Sequence, residues 1–204
     1  IDVAEQIRDV LLGLPARRAV NIPGLSAEIM ERLKPHLQLA ETLGLLVSQL
    51  AGGQVEELEV RLQGEFSEHP SQPLVVAALK GLLSNALGER INYVNASLEA
   101  KARGIQVLEV KDESSRDFAG GSLQITTRGD QGSRSVTGAV FADGDLRITS
   151  IDAFPVNVTP SSHMLFTRHR DMPGIIGHLG SLLGEHNVNI ASMQVGRNIV
   201  RGDA

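Results

Sequence analysis

Strict alternation of apolar and polar residues in one short stretch constrains this chain most. Between Glu57 and Gln63 every second residue is apolar, namely Leu58, Val60 and Leu62, and the others are polar or charged. Successive side chains of a strand point to opposite faces, so the pattern predicts a strand with one buried face. One-faced strands are typical of antiparallel sheets that are covered on one side only.

The same two-residue period returns later in the chain. Alternating stretches at 123–127, 136–140 and 146–148 predict three strands in a meander, and 105–111 predicts a further strand. Glycine-containing turns separate the meander strands, with Gly129 and Gly132 in one turn and Asp143-Gly144 in the other.

Helical spacing of apolar residues fills the rest of the first 110 residues. It predicts helices at 3–14, 29–33, 39–50, 74–87 and 97–103. Helices on one side of a mainly antiparallel sheet make an α+β domain, which we assign to residues 20–160. Residues 1–19 are assigned to a helix that belongs to, or leaves, another part of a longer protein.

A second unit is expected after a linker formed by Pro155, Pro160 and Ser161-Ser162. Its pattern predicts a strand at Met164 to Thr167, a helix at Ile175 to His186 and a strand at Val188 to Val195. This unit, residues 163–204, is shorter than most chains that fold alone. We therefore interpret it as half a domain.

Composition excludes several classes of function. Twenty-four acidic and nineteen basic residues give a net charge of −5, and there are only five Phe and one Tyr, so neither a basic surface nor stacking aromatics favour nucleic acid. The chain has no cysteine, which excludes thiolate metal sites and cysteine nucleophiles. The histidines show no metal-binding spacing, so no metal is expected. No apolar run approaches the ~18 residues of a membrane span, so we expect a cytoplasmic protein without a membrane partner.

Polar residues around the start of the predicted 175–186 helix form a candidate ligand site. Pro173 and Gly174 begin the helix, whose free amides and positive dipole suit a carboxylate. Asp171 could hold an ammonium group, and His169 and Asn189 add hydrogen-bonding groups. These groups together would suit an amino acid. The simpler alternative, favoured by the residues alone, is that Asp171 caps the helix and His169 is an exposed strand residue.

Two further features bear on ligand binding. The glycines at 174, 177, 180 and 184 lack the spacing of a dinucleotide-binding loop, so no cofactor, including NAD, is expected in this chain. Arg147 could meet a small phosphorylated or carboxylate anion with help from Lys111 or Arg116. A plain surface arginine is the alternative.

Several stretches of the chain, taken together, resemble one known family. Over essentially its whole length, the chain is similar to the carboxy-terminal regulatory part of type I D-3-phosphoglycerate dehydrogenases. The stretches that carry the resemblance are IRDVLLGLPARRAVN at 7–21, GLLSNALGERINYVNA at 81–96, RGIQV at 103–107, VTGAVFADGDLRITSID at 136–152 and HRDMPGIIGHLGSLLGEHNVNIASMQVGR at 169–197.

The resemblance implies an intervening, allosteric substrate-binding domain at 20–160, followed by an ACT domain. It also implies that the parent enzyme is an NAD-dependent oxidoreductase of serine biosynthesis, acting on 3-phosphoglycerate as a homo-oligomer. L-Serine would bind between paired ACT domains at His169, Asp171, Pro173 and Gly174, with Asn189 coming from the partner subunit. The chain itself is expected to have no catalytic residues.

Two departures from the family pattern qualify these expectations. A ferredoxin-like ACT domain is a βαββαβ unit, whereas this sequence reaches Ala204 after its first βαβ half. Family members with an anion site carry further basic residues where this chain has Phe154 and Thr159. The alternative function is a structural oligomerisation module that binds no effector. An RNA-recognition sheet would need more strand aromatics than Phe166.

Overall fold

The computed structural model describes residues 27–113, 121–142, 144–152, 154–170 and 172–197. The predicted helix at 3–14 lies outside these residues. Two 3₁₀ turns, Gly64–Glu68 and Gly88–Arg90, accompany the longer elements. In chain order these are α1 (Ala27–Ala51), β1 (Val55–Gln63), α2 (Ser71–Leu87), α3 (Ala96–Ala102), β2 (Gln106–Asp112), β3 (Ser122–Gly129), β4 (Gly132–Val140), β5 (Leu146–Ile151), β6 (Phe154–Val158) and α4 (Ile175–Glu185).

The described strands form one six-stranded sheet in the order β2-β1-β3-β4-β5-β6. Only the β1–β2 pair is parallel, and the other neighbours run antiparallel. The register sets Val60 opposite Ile125 and Leu62 opposite Leu123, and all four side chains are fully buried. The predicted α+β class with a mainly antiparallel sheet is therefore confirmed.

The other face of β1 and β3 is polar and carries ion pairs. Glu59 is 8% exposed and accepts hydrogen bonds from Arg61 at 2.7 Å and from Arg128 at 3.0 Å. Arg128 also pairs with Glu57, which lies opposite it in the ladder. Since the buried carboxylate Glu59 has two guanidinium partners, this face needs no helix layer to satisfy it.

Helices α1 and α2 cover the apolar face and pack closely on each other. Leu39 and Leu43 of α1 and Leu74 of α2 are fully buried in the same core. A Cβ atom added at Gly44 would overlap the carbonyl oxygen of Ala78, and one added at Gly81 would overlap that of Glu41. Glycine at these two positions allows the helix backbones to approach.

Two predicted boundaries were wrong. The expected short and long helices are one continuous helix, α1, which runs through Pro35. Leu33 and Leu39 are both buried on either side of it, so packing offsets the hydrogen bond that proline cannot make. The expected linker at Pro155 is instead strand β6, at the end of the sheet, where a proline removes no ladder hydrogen bond on its outer side.

The carboxy-terminal segment, defined as residues 163–197, contains α4 as predicted. The stretches expected as its strands, Met164 to Thr167 and Val188 to Val195, have no ladder in the structure, although Arg170 forms an isolated bridge. In a split βαβ unit another strand lies between the two strands of this half. The described residues supply no such strand, so the two stretches lack a neighbour to pair with.

Candidate functional site

The predicted effector residues lie on both sides of α4 in the chain, with His169, Pro173 and Gly174 before it and Asn189 after it. Gly174 precedes the helix with φ 94° and ψ −20°, a left-handed conformation that glycine adopts without strain. Pro173 and Gly174 are exposed, His169 is half-buried and Asn189 is exposed. Asp171 lies outside the described residues. The structure thus leaves the four described positions accessible to a ligand.

The start of α4 has the chemistry of a carboxylate site. The first helical hydrogen bond runs from the His178 amide to the Gly174 carbonyl at 2.9 Å, and among the described residues no side-chain cap is formed at Gly174. The amides of Ile176 and Gly177 fall in the first turn, where a helix provides no carbonyl partner. These N–H groups have no partner within the helix and lie at the positive end of the helix dipole.

His169 and Asn189 add complementary hydrogen-bonding groups. The His169 Nδ1 atom lies 3.0 Å from the Arg170 carbonyl oxygen. Because a carbonyl only accepts, Nδ1 must carry the hydrogen, and the Nε2 atom of the neutral ring is then an acceptor. Asn189 follows a tight turn at Asn187, which has φ 57° and is closed by the Val188 amide bonding to the Leu183 carbonyl at 2.9 Å. Its amide offers both a donor and an acceptor.

The carboxy-terminal segment also has a large apolar surface. None of the α4 residues is buried. Large exposed apolar patches are rare on monomeric proteins and mark interaction sites, so the exposed apolar side chains of the described part of this segment are candidates for an interface. The exposed side chains are Leu165, Phe166, Met172, Ile176, Leu182, Val188, Ile190, Met193 and Val195.

The end of this segment contacts the outer edge of β6. The Asn157 amide donates a hydrogen bond to Gln194 Oε1 at 2.7 Å. Gly196 lies so close that an added Cβ would be 2.9 Å from the Pro155 carbonyl oxygen. The Arg168 guanidinium lies 5.7 Å from the centroid of the Phe154 ring. These contacts join the carboxy-terminal segment to the sheet.

Arg147 lies on β5, away from its suggested helper. Its Nη2 atom is 3.2 Å from Asp145 Oδ2, and its guanidinium lies 5.9 Å from the Phe141 ring centroid. The Nε atom is buried without a hydrogen-bond partner. Lys111 is on β2, four strand positions away or roughly 19 Å at the usual spacing. Lys111 therefore cannot assist Arg147, and Arg116 lies outside the described residues.

Sequence reasoning missed two polar clusters in the helix layer. Glu41 of α1 accepts hydrogen bonds from Lys80 and from the Tyr93 hydroxyl, and the Lys80 ammonium lies 4.7 Å from the Tyr93 ring centroid. Burial and the bond to Glu41 raise the pKa of Tyr93. Separations of 39 and 52 residues hide this cluster from any local pattern.

The second cluster joins α1 to the turn before α2. The His36 ring lies 4.4 Å from His69 and 4.7 Å from Phe66, measured between ring centroids. Burial, followed by repulsion from His69, lowers the pKa of His36, although its bond to the Arg32 carbonyl acts in the opposite direction. Within the described ranges, no three histidine or acidic side chains are arranged to hold a metal ion. No described helix is long and apolar enough to cross a membrane.

Comparison with protein-family models decides the family. The model of the D-3-phosphoglycerate dehydrogenase intervening domain matches residues 32–152, more than half of the chain. The chain belongs to this intervening-domain family. The model of the ACT domain matches residues 163–202. The helix-covered sheet is therefore the intervening domain, and α4 lies in an ACT match.

Curated relatives agree with this assignment. D-3-phosphoglycerate dehydrogenase of Synechocystis is 66% identical over 100% of this chain and 37% of the relative. The enzymes of Methanocaldococcus jannaschii and Bacillus subtilis are 38% and 32% identical, each over 99% of this chain and 38% of the relative. The chain thus spans little more than a third of the length of these relatives.

Proposed function

We propose that this chain is the regulatory and oligomerisation part of an NAD-dependent D-3-phosphoglycerate dehydrogenase of the cytoplasm. Its parent enzyme would oxidise 3-phosphoglycerate in serine biosynthesis, with NAD and the catalytic residues held outside this chain. Residues 1–19 would belong to or leave that catalytic part, 20–160 would form the intervening domain, and 163–204 would form part of an ACT domain. The effector would be L-serine.

The observation that carries this proposal is the exposed apolar side chains on α4, next to a helix start at which no described side chain forms a cap. The segment that matches the ACT family buries none of α4, so its apolar side chains need a further surface to pack against. Pairing with another ACT domain would cover them. The start of α4 would then lie beside an interface at which a ligand can influence subunit arrangement.

Serine chemistry fits the residues around this site. The serine carboxylate would bind the free amides after Gly174, and the ammonium group would pair with Asp171. The hydroxyl would donate to His169 Nε2 or bond with the partner subunit's Asn189, since an amide both donates and accepts. Serine would shift the enzyme between conformations only as far as it prefers one of them.

The direct experiment measures serine binding by calorimetry and serine inhibition in the parent enzyme. We expect Asp171→Ala to weaken serine affinity roughly ten- to a hundredfold, because a lost charge-assisted hydrogen bond costs about 1.5–3 kcal/mol. Asn189→Ala should act alike. Uninhibited turnover should stay nearly unchanged, since the catalytic part lies elsewhere. Asp130→Ala, in the exposed β3–β4 turn, is the matched control.

Unaltered serine inhibition in both variants would favour the alternative function, a structural oligomerisation module without an effector. A wild-type enzyme that gives no binding heat with serine would favour it as well. In that case the apolar surface would fix subunit geometry alone.

Arg147 supports a subsidiary proposal, a site for a small phosphorylated or carboxylate anion in the intervening domain. Its supporting observation is the buried Nε atom without a partner, since such donors normally find an acceptor. We expect inorganic phosphate to shift the backbone resonances of β5 in the wild type and not in Arg147→Gln. Equal shifts in both would exclude the site.

A further inference from the structure

The β2 strand leaves one edge of the sheet open. It stands first in the strand order, and among the described strands only β1 pairs with it. Its residues Gln106, Val107, Glu109 and Lys111 are exposed. An open edge presents backbone N–H and C=O groups that can pair with another strand.

The helix layer stops short of this edge. Helices α2 and α3 border a groove of about 440 Å³ beside β2, lined mainly by apolar side chains that include Val75, Val76 and Val107, with Lys101 also in its wall. Val107 is 37% exposed. The helix-facing side of β2 therefore has room for side chains from a neighbouring strand.

We propose that β2 pairs antiparallel with β2 of a second copy of this chain, around a two-fold axis at Val110. The two six-stranded sheets would then join into one continuous sheet. This surface is separate from the ACT surface and goes beyond the proposed function. The argument for a second copy as occupant is charge complementarity along the strand.

Symmetry restricts the possible registers. A two-fold axis normal to the sheet keeps the helix layers of both copies on one side. Directly opposed residues of antiparallel strands point to the same face, so one residue of β2 must lie directly opposite its own copy across the axis. An axis at Glu109 opposes two carboxylates, and an axis at Lys111 opposes two ammonium groups. Only an axis at Val110 sets Glu109 of each copy opposite Lys111 of the other, and opposed charges of this kind favour pairing.

The contacts that Lys111 and Val110 already make leave both residues available for pairing with a second β2 strand. Lys111 donates one hydrogen bond to the Ser67 carbonyl at 3.2 Å, and an ammonium group has two further donors. Val110 is half-buried on the opposite face of the strand from Glu109 and Lys111. The axis position therefore opposes two valines, which pack well across strands.

A single cysteine tests the axis directly, because the 204-residue chain has none. Directly opposed residues of antiparallel strands have Cα atoms about 4.5–5.5 Å apart, within disulfide range. We expect Val110→Cys to form an intermolecular disulfide under mild oxidation much faster than Val94→Cys, an exposed control away from β2. Equal rates for the two variants would overturn the proposal.

Charge reversal then tests the register in the Val110→Cys background. Glu109→Lys or Lys111→Glu alone should slow cross-linking on the order of tenfold, because each opposes like charges at two places. The double reversal should restore the rate. The Val110 axis would be overturned if either single variant cross-linked at the unchanged rate, or if the double variant did not recover that rate. Circular dichroism confirms folding, and unchanged serine binding in Glu109→Lys would separate this result from the ACT proposal.

Discussion

The intervening domain and the carboxy-terminal segment are both rich in apolar side chains, but they use them differently. Leu39 and Leu43 of α1 are fully buried. In α4, Leu182 remains 45% exposed and Ile176 40% exposed. The first region satisfies its hydrophobic faces within itself by closing helices over a sheet. Among its described residues the second has no layer of its own to close over α4, and it touches the rest of the molecule along β6 and through Met164, which packs against the core.

The difference in burial separates the two regions by what their apolar side chains do. A buried leucine stabilises the fold of its own domain, whereas an exposed apolar helix face adds hydrophobic stabilisation only when a partner covers it. The intervening domain is thus the part that buries a core of its own, and the ACT match is the part that leaves the apolar side chains of its helix unburied. Matched substitutions in the two regions test this distinction.

The largest difference is expected between two leucine truncations. Leu43→Ala should lower the free energy of unfolding by about 2–5 kcal/mol, because it leaves a cavity between α1 and the sheet. Leu182→Ala should change it by less than about 1 kcal/mol. Chemical denaturation of the 204-residue chain measures both. Similar losses would mean that α4 is already packed against something in solution.

Two glycine substitutions should change the free energy of unfolding in opposite directions. Gly44→Ala places a methyl group against the Ala78 carbonyl, so we expect a loss of roughly 1–3 kcal/mol in the free energy of unfolding. Gly180→Ala meets no atom within 4 Å, and a better helix former there should add about 0.5–1 kcal/mol. Thermal unfolding reports both. Destabilisation by Gly180→Ala would reveal a partner against this face of α4.

Loss of the contact between the two regions should change stability less than the substitutions in the core of the intervening domain. Gly196→Val adds atoms where a Cβ alone would lie 2.9 Å from the Pro155 carbonyl and 3.2 Å from Val156 Cγ1. We expect the segment to leave β6, so the Asn157 amide should exchange with solvent faster. Gly184→Val, whose added Cβ would meet nothing, is the control. Unchanged Asn157 exchange in Gly196→Val would show that this edge contact is not maintained in solution.

The smallest expected effect is a pH dependence confined to the intervening domain. Burial and the nearby His69 lower the pKa of His36 below its ordinary value of 6.5. The unfolded chain then binds a proton more readily, so stability is full above pH 6.5 and falls as pH drops towards the lowered pKa. His36→Gln should reduce the loss of melting temperature between pH 7 and pH 5. A wild-type loss retained in His36→Gln would contradict this assignment.

Local patterns predicted most of the intervening domain. Alternation at 57–63 identified β1, and Pro73 and Gly88 bounded the helix that the structure places at Ser71–Leu87. Pro35 and Pro155 misled the prediction because proline effects depend on context. Packing on both sides keeps α1 continuous, and a sheet edge tolerates Pro155 in β6.

The candidate site was predictable in part. The residues around Gly174 were found because a proline–glycine turn before a helix is a local signal. The Glu41–Lys80–Tyr93 cluster and the Gln194 contact with β6 were not found, since Glu41 is 39 and 52 positions from its two partners and Gln194 is 37 positions from Asn157. The suggested meeting of Lys111 with Arg147 failed for the same reason, because strand order was unknown.

The sequence by itself determined the α+β class, the one-faced strands, the turns and the family resemblance. These follow from side-chain period and backbone preference, which act over a few residues. Only the tertiary structure decided that β2 lies at an open edge, that Gly44 and Gly81 bring two helices together and that α4 buries none of its apolar face. Strand order and burial depend on contacts between distant residues, and no local pattern encodes which surface remains without a partner.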